Sequence, residues 1–520
     1  MKYNRLSCRT ILCCLFYSIL VLACDQSEQN DRIERLYPPG LKRLGTLKPR
    51  HATEISRSPW GIQAGTLDAD LLERAAEIGV KWTRLGASWK SIERQKGVYD
   101  WSETDRAFDA VLKIGITPFV TLGTSNALYS KPIKGKDPKL VAIYGQNPAP
   151  PIYNKKAMTA WLRFVRTAVQ RYKDRIQYWE VWNEPNHHHY WGAKPDGRDY
   201  GRLLKATAKV IREVDPEAII LGGSMAGLSP KFMDDFLSQG TEGLVDIITY
   251  HNYGAIPETR IYKAVEAWKI IENYNPVIEL WQGECGYPSH SSTRDYRGTS
   301  PWGLNIQAKW LLRQAFTDIF FCRASMSNYF KLVHNRGRGD KPDRKELRNI
   351  DHVLGNPERG GSRVKSVGVN EKCLLENPGL NPKPAYFAYQ NLCTLLDSRY
   401  ERVEIKHEIK IKEAGIFYGI GPEDDSFPSI PLVASFTTGE GHYLIAYWLP
   451  WHPQEIIRPA VIDLVMPGIG FSDPVLVDLL TGQVFGLSEK VHRFGSGHFS
   501  AIPLADFPWI IIERDEIQYQ

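Results

Sequence analysis

"KKAMTAWLRFVRTAVQRYKDRIQYWEVWNEPN", Lys155 to Asn186, holds the unit from which most of the chain can be parsed. Its first part, to Tyr172, carries apolar residues at helical spacing, and "IQYWEVWNEP" then reads as a short apolar strand that ends in polar residues. The same alternation runs in both directions. Upstream, "WGIQAG" from Trp60 reads as a strand, "DADLLERAAEIGV" as a helix opened by an Asp, "KWTRLGASW" as a second strand, and "TDRAFDAVLKIGI" as a helix feeding the third strand, "TPFVTLG". Downstream, helical stretches precede "AIILGGS", "VDIITYHNY", "PVIELWQGE" and "ASMSNYFKL". That makes eight strands in about 330 residues, the size and order of a TIM barrel. A doubly wound sheet is the competing architecture, but it calls for a glycine-rich phosphate turn after the first strand, and "GIQAGTLDAD" is not one.

The barrel accounts for residues 58–398, including a long irregular insertion at 333–382 after the eighth strand and a closing helix in "KPAYFAYQNLCTLL". Past Arg399 the helical period disappears. "RVEIKHEIKIK", "GIFYGIG", "LVASFTT", "HYLIAYWLP", "AVIDLVMP", "PVLVDLLTGQVFGL" and "WIIIERD" read as strands between turn signals, so residues 399–520 are expected to form a β-sandwich. The predicted fold class is therefore α/β, a (β/α)8 TIM barrel followed by a C-terminal β-sandwich domain.

The start of the chain bears on compartment. Lys2, Arg5 and Arg9 precede the apolar run "ILCCLFYSILVLA", which is short for a membrane span and right for a secretory signal. "VLAC", Val21 to Cys24, resembles the lipobox of bacterial lipoproteins, which implies cleavage of residues 1–24 before the cysteine and lipidation of Cys24. Leu22 is bulkier than usual at its place in that motif. An ordinary cleaved signal or a retained anchor are the alternatives, and all three export the protein to the cell envelope, the periplasm or beyond. Residues 25–57, polar and broken by "YPPG", read as a tether, with Leu41–Leu47 open to a second reading as an added edge strand.

The formal charge of +6 falls to +3 once residues 1–23, with three basic and no acidic side chains, are removed. So mild a balance gives no case for nucleic acid as a partner. Of eight cysteines, Cys285, Cys322, Cys373 and Cys393 lie in the folded body. No Cys-x-x-Cys spacing suggests zinc, and any disulfide pairing stays open.

In a barrel of this kind the reactive groups sit at the carboxyl ends of the strands. Two of those ends carry glutamate: Glu184 on the fourth strand and Glu284 on the seventh. They lie 100 residues apart, or three βα units of about 33 residues, so both project into one mouth. Glycosidic bond cleavage needs such a pair, one carboxyl held protonated for the leaving oxygen and one ionised to stabilise or attack the sugar carbon. Glu279 is the competing acid near Glu284, but it sits within its strand and not at the end.

"WNEP" after the fourth strand, a Glu after the seventh and Arg84 on the second resemble clan A of the retaining glycoside hydrolases. "YWEVWNEPN", "WKSIERQKGVYDW" and "KPAYFAYQNL" are most similar to family 39 and its relatives. The resemblance covers about Trp60 to Leu396, and more faintly the sandwich. It implies Glu184 as acid/base, Glu284 as nucleophile, Asn183 as the partner of the sugar 2-hydroxyl, and Arg84 as the cation holding the nucleophile ionised. Tyr253, or His251, on the sixth strand would contact or orient the nucleophile. Many clan A enzymes place a Trp sugar platform on the eighth strand, where this chain offers Asn328, Tyr329 and Phe330. The implied activity is hydrolysis of O-glycosidic bonds in an oligo- or polysaccharide through a glycosyl-enzyme intermediate, with no cofactor.

Plainer readings stand beside these. Arg84 could be a structural ion pair. His187 to His189 are consecutive and converge poorly on one ion, so His187 is expected to contact sugar or solvent and not a metal. Trp191 is the best loop aromatic for stacking on a sugar, although barrel tryptophans are more often core. Lys331 to Arg348 holds seven basic and three acidic residues beside the expected mouth, which would suit an acidic sugar or be a solvated loop. A carbohydrate-binding envelope lipoprotein without turnover and a transglycosidase are the rival functions. The first is disfavoured by the retention of both carboxylates, Asn183 and Arg84. The second shares the first half of the mechanism.

Overall fold

The computed structural model describes residues 38, 40–64, 68–131, 147–253, 256–289, 303–333, 372–376, 380–417, 430–455 and 457–520. The expected signal, Cys24 and most of the basic insertion lie outside the described residues.

After a strand β1 (Leu41–Thr46) that lies outside the barrel, eight strands close a parallel barrel: β2 (Trp60–Gln63), β3 (Trp82–Ser88), β4 (Thr117–Gly123), β5 (Tyr178–Val181), β6 (Ile219–Ala226), β7 (Ile247–Asn252), β8 (Glu279–Cys285) and β9 (Met326–Phe330). β9 returns to pair with β2, from Trp60↔Ser327 to Gln63↔Phe330. Among the described residues the longer helices of the crossovers are α1 (Ala69–Ile78), α2 (Ser102–Lys113), α3 (Lys155–Tyr172), α4 (Gly197–Val214), α5 (Pro230–Leu237), α6 (Ile261–Tyr274) and α7 (Leu304–Phe316). α8 (Pro384–Leu395) closes the ring.

The helices start where the sequence supplies a cap. Asp68, Asn154 and Asp196 each accept from two backbone N–H groups in the first turns of α1, α3 and α4. Each such cap contributes about 1 kcal/mol.

The barrel interior is layered, and the strand period explains how. Trp82, Phe119, Tyr178, Ile247 and Trp281 point inward near the amino ends of their strands and form an aromatic floor, with Trp82 and Trp281 ring centroids 5.0 Å apart. Two residues further along, the same inward face carries Arg84, Thr121, Glu180 and Thr249. The barrel is therefore apolar at its base and polar at its carboxyl end.

Residues 401–513 supply β10 (Glu401–Arg402), β11 (Glu408–Glu413), β12 (Ile416–Phe417), β13 (Leu432–Thr437), β14 (Tyr443–Trp448), β15 (Ile457–Arg458), β16 (Ala460–Val465), β17 (Pro474–Asp478), β18 (Gln483–Leu487), β19 (His498–Leu504) and β20 (Trp509–Glu513). A seven-stranded sheet runs β1-β18-β17-β20-β14-β13-β10. β11-β16-β19 form a three-stranded sheet and β12-β15 a pair.

Three sequence expectations change here. From Leu41 onward the tether reading gives way to the edge-strand reading that the sequence left open, because β1 pairs antiparallel with β18 as the edge strand of the large sheet, and Leu47, Ala52 and Ile55 behind it are buried. "PVLVDLLTGQVFGL" is two strands, β17 and β18, since Gly482 at φ 75° turns the chain back. β19 was not expected at all. Cys285, Cys322, Cys373 and Cys393 are all buried and unbridged.

The barrel and the sandwich share a buried ionic seam. Arg313 on α7 pairs with Glu258 at 2.7 Å, Trp448 Nε1 of β14 donates to the same carboxylate at 3.0 Å, and Lys309 lies 2.8 Å from Asp506.

Candidate active site

Arg84 is the hub of the polar layer. Its Nη1 donates to Glu284 Oε2 at 2.9 Å, its Nε to Glu180 Oε2 at 2.8 Å, and its Nη2 to Asn183 Oδ1 at 2.9 Å and Ser224 Oγ at 3.0 Å. Glu180 is fully buried and accepts also from Thr121 and Thr249, both at 2.6 Å. A charge in that position must be paired and hydrogen-bonded, which these three strands accomplish together.

Glu284, at the end of β8, accepts from Arg84, from Gln63 Nε2 of β2 at 3.1 Å, and from the Tyr253 hydroxyl just past β7. Burial pushes its carboxyl up, but His251, Arg84 and the hydrogen bonds from Tyr253 and Gln63 outweigh this and hold it below the usual carboxylate range. Glu180 likewise stays low: burial raises it, and Arg84, His251 and the two threonines more than compensate.

Glu184 faces Glu284 across His251. His251 Nδ1 is 2.8 Å from Glu184 Oε1 and 3.9 Å from Glu284 Oε2, with Nε2 3.3 Å from Ser224 Oγ. Because both carboxylates approach one atom, their nearest oxygens are no farther apart than the sum of those two distances. The retaining spacing of about 5–5.5 Å and the start of the inverting window at about 6.5 Å both lie under that ceiling.

The backbone that presents Glu184 is bent. Trp182, Glu184 and Ser224 adopt φ of 75°, 46° and 43°, a region that side-chain-bearing residues rarely occupy and that costs on the order of 1–3 kcal/mol each. The bend is held by Glu184 N–H on Ser224 O at 2.9 Å and by Asn186, which accepts from Ala226 N–H at 2.7 Å and donates to Ala226 O at 3.1 Å. The "NEPN" string thus leaves β5 tied to the end of β6.

The structure therefore brings Arg84, Asn183, Glu184, His251, Tyr253 and Glu284 into one cluster. Tyr253 and His251 both engage, each on a different glutamate. Glu180, Gln63 and Ser224 join them and were missed in the sequence. For Glu180 a signal existed, since a carboxylate inside an apolar strand needs an interior cation and Arg84 lies two strands away. Glu279 instead bonds the Trp281 indole at 2.9 Å at the amino end of β8.

Trp191 is not a sugar platform. It is fully buried, packs edge-on to Trp182 and Tyr200, and gives its indole N–H to Tyr153 at 3.3 Å, because the turn before Gly192 folds it inward. His187 caps the short turn His188–Trp191 and accepts from His189 N–H at 3.3 Å. Of the three residues considered on the eighth strand, Asn328 is buried and bonds Gly283 O, and Tyr329 is buried outside the barrel against Tyr389. Phe330 meets Tyr253 edge-to-face at 6.2 Å, beside Glu284.

Residues 79–302, a span that contains Arg84, Glu184 and Glu284, match the model of "Glycosyl hydrolases family 39". A stretch of 167 residues is 28% identical to the beta-xylosidase of Geobacillus stearothermophilus, covering 30% of this chain and 31% of that protein, so the chain spans under a third of that relative's length in the match. A family 39 glycoside hydrolase of Bacteroides cellulosilyticus WH2 superposes with a TM-score of 0.57 at 18% identity, over 88% of this chain and 81% of the other. A monomeric beta-xylosidase from Caulobacter crescentus CB15 superposes with a TM-score of 0.51 at 17% identity, over 90% and 97%. Over residues 79–302 the chain is thus similar to the glycosyl hydrolases of family 39, and its fold is similar to that of solved enzymes of that family.

Proposed function

We propose that the chain is an exported retaining glycoside hydrolase, anchored to the envelope through a lipid on Cys24, that cleaves O-glycosidic bonds of an oligo- or polysaccharide. The observation that carries the reaction is the unequal treatment of two facing carboxylates. Glu284 is held ionised by Arg84, Gln63 and Tyr253, while Glu184 stands across from it on a separate strand, within reach of His251.

In the first step a Glu284 oxygen attacks the anomeric carbon, the bond to the leaving oxygen breaks, and Glu184 gives that oxygen its proton. In the second, Glu184 takes a proton from water, the water oxygen attacks the same carbon, and the ester to Glu284 breaks. Asn183, its carbonyl engaged by Arg84, turns its amide N–H groups toward a sugar hydroxyl. The double inversion retains configuration, and no step calls for a cofactor.

The test is a screen of residues 25–520 against aryl glycosides and polysaccharides, with Glu184→Gln and Glu284→Gln alongside. Turnover of one substrate, its loss in both variants, and a first product of unchanged anomeric configuration by NMR support the reading. Binding of glycans without turnover, or an inverted product, sinks it. Export and lipidation are read separately in the full chain, where Cys24→Ser should move the protein out of the membrane fraction.

A further inference from the structure

A cleft of about 400 Å³ lies over the carboxyl ends of β3 and β4, and the proposed reaction makes no use of it. The turn after β3 contributes Lys90 and Arg94 to one wall, the loop after β4 contributes Ser125 and Asn126, and Asn147 closes the far side. Small-molecule sites typically measure about 300–1,000 Å³, so the space suits one compact group.

The walls are fixed before any ligand arrives. Asn126 Nδ2 donates to Glu93 O at 2.8 Å and its Oδ1 accepts from Leu128 N–H at 2.9 Å, while the Tyr129 ring stacks on Trp89 with centroids 5.4 Å apart. Asn147 donates to His189 O at 2.7 Å, which ties the far side to the turn that follows Glu184. The loop after β4 leaves its strand beside the same segment, since a β-carbon at Gly123 would stand 3.5 Å from Trp182 Cα, two residues before Glu184. The cleft therefore adjoins the mouth next to the strand that presents Glu184.

One atom of this wall has no partner within the protein. Ser125 is 3% exposed, and its Oγ is buried without a hydrogen bond. Native folds pair nearly all buried polar groups, and an unpaired hydroxyl in the wall of a cleft is a hydrogen-bonding position open to a ligand. At the rim, Lys90 and Arg94 are exposed and offer N–H donors. Their charges are screened by solvent, so they serve as donors more than as a counter-ion field. A hydroxyl, an amide and N–H donors around one space match a sugar ring, whose hydroxyls each donate and accept.

We propose that this cleft binds a further sugar unit of an oligosaccharide whose scissile bond lies between Glu184 and Glu284, with Ser125, Asn147 and Lys90 as its hydrogen-bond partners. The inference rests on the glycosidase reading and adds that the substrate is a chain of sugars and not a single glycoside.

The experiment compares the shortest glycoside turned over in the activity screen with longer oligosaccharides of the same sugar. At the length that first fills the cleft, kcat/KM should rise by at least about tenfold, the scale of one or two added hydrogen bonds. Ser125→Ala and Lys90→Met should each lower the ratio of long to short substrate by about three- to tenfold, mainly through KM. Ser125→Ala should melt no lower than the parent, because it deletes a hydroxyl that the fold leaves unpaired. Lys90 is exposed, so Lys90→Met carries the test if Ser125→Ala fails to fold. Equal kcat/KM at every length, or equal losses on short and long substrates in both variants, overturns the proposal. If no glycoside turns over, the glycosidase reading fails by itself, and electrophoresis of the protein through gels containing xylan, β-glucan or glucomannan decides this one. Retardation that weakens in either variant supports the cleft. No retardation, or retardation unchanged in both variants, overturns it.

Discussion

The charge state of Glu284 is set by competition between burial, which favours the neutral acid, and the donors and cations around it, which favour the anion. Tyr253 contributes one charge-assisted hydrogen bond, an interaction of about 1.5–3 kcal/mol. Tyr253→Phe removes it with little change of shape. The ionised form loses support, so the Glu284 pKa rises, and the nucleophile becomes protonated at a higher pH than in the parent. The acidic limb of kcat/KM against pH should therefore move upward. A limb that stays put would mean that another group sets it. At this scale the sequence revealed residues that end strands, because position in a barrel is itself a chemical statement. It did not reveal Gln63 or Ser224, whose roles depend on side-chain direction, and it misplaced Trp191, because nothing in a loop sequence tells an exposed indole from one folded into the core.

Elements were legible where their period is unbroken. β5 and the helix before it, α3, show a clean change from helical spacing to an apolar strand, and the eight-fold recurrence fixed the barrel. β19 stayed hidden because its pattern is broken: the pairing with β16 slips between Ile462 and Leu464, and Ala501 takes φ of 53°. β1 carries Lys42 and Arg43, as edge strands do, and so the sequence left it open between polar linker and edge strand. The bend after β5 was legible as a motif but not as a shape. There Asn186 joins that loop to β6 through both its amide atoms, so Asn186→Ala breaks two hydrogen bonds that keep Glu184 in its uncommon backbone state. The expected cost is about 1–3 kcal/mol in urea unfolding. The catalytic loss should be larger than such a figure suggests, on the order of 100-fold in kcat/KM, because a displacement of about 1 Å at the acid/base is enough for that. Equal activity with reduced stability would show that the bend is held by other contacts.

At the level of the whole molecule, the sandwich is part of the barrel's wall. Every residue of α7 from Ile306 to Phe316 is buried, including Lys309 and Arg313, which no surface helix of a free barrel would hide. Their partners are Asp506 and the Gln454 carbonyl for Lys309, and Glu258 and the Trp451 carbonyl for Arg313, with Trp448 closing over Glu258. The large sheet in turn takes its edge strand from before the barrel, since β1 pairs with β18. The chain is thus interleaved: sheet, barrel, sheet. Ending the chain at residue 398 would remove the partners of Lys309, bare the apolar face of α7, and leave β1 without the strand it pairs with. Exposed apolar surface of that extent drives aggregation. The truncated protein should therefore be recovered as aggregates, and residues 25–520 should unfold in one calorimetric transition, with barrel and sandwich melting together. Glu258→Gln probes the seam in the intact chain. It leaves Arg313 buried against a neutral amide and should lower stability by about 3–5 kcal/mol while both halves lose structure at the same temperature. Two separate transitions in either protein, or a soluble and folded barrel ending at 398, would show instead that the seam only joins two bodies that are stable apart.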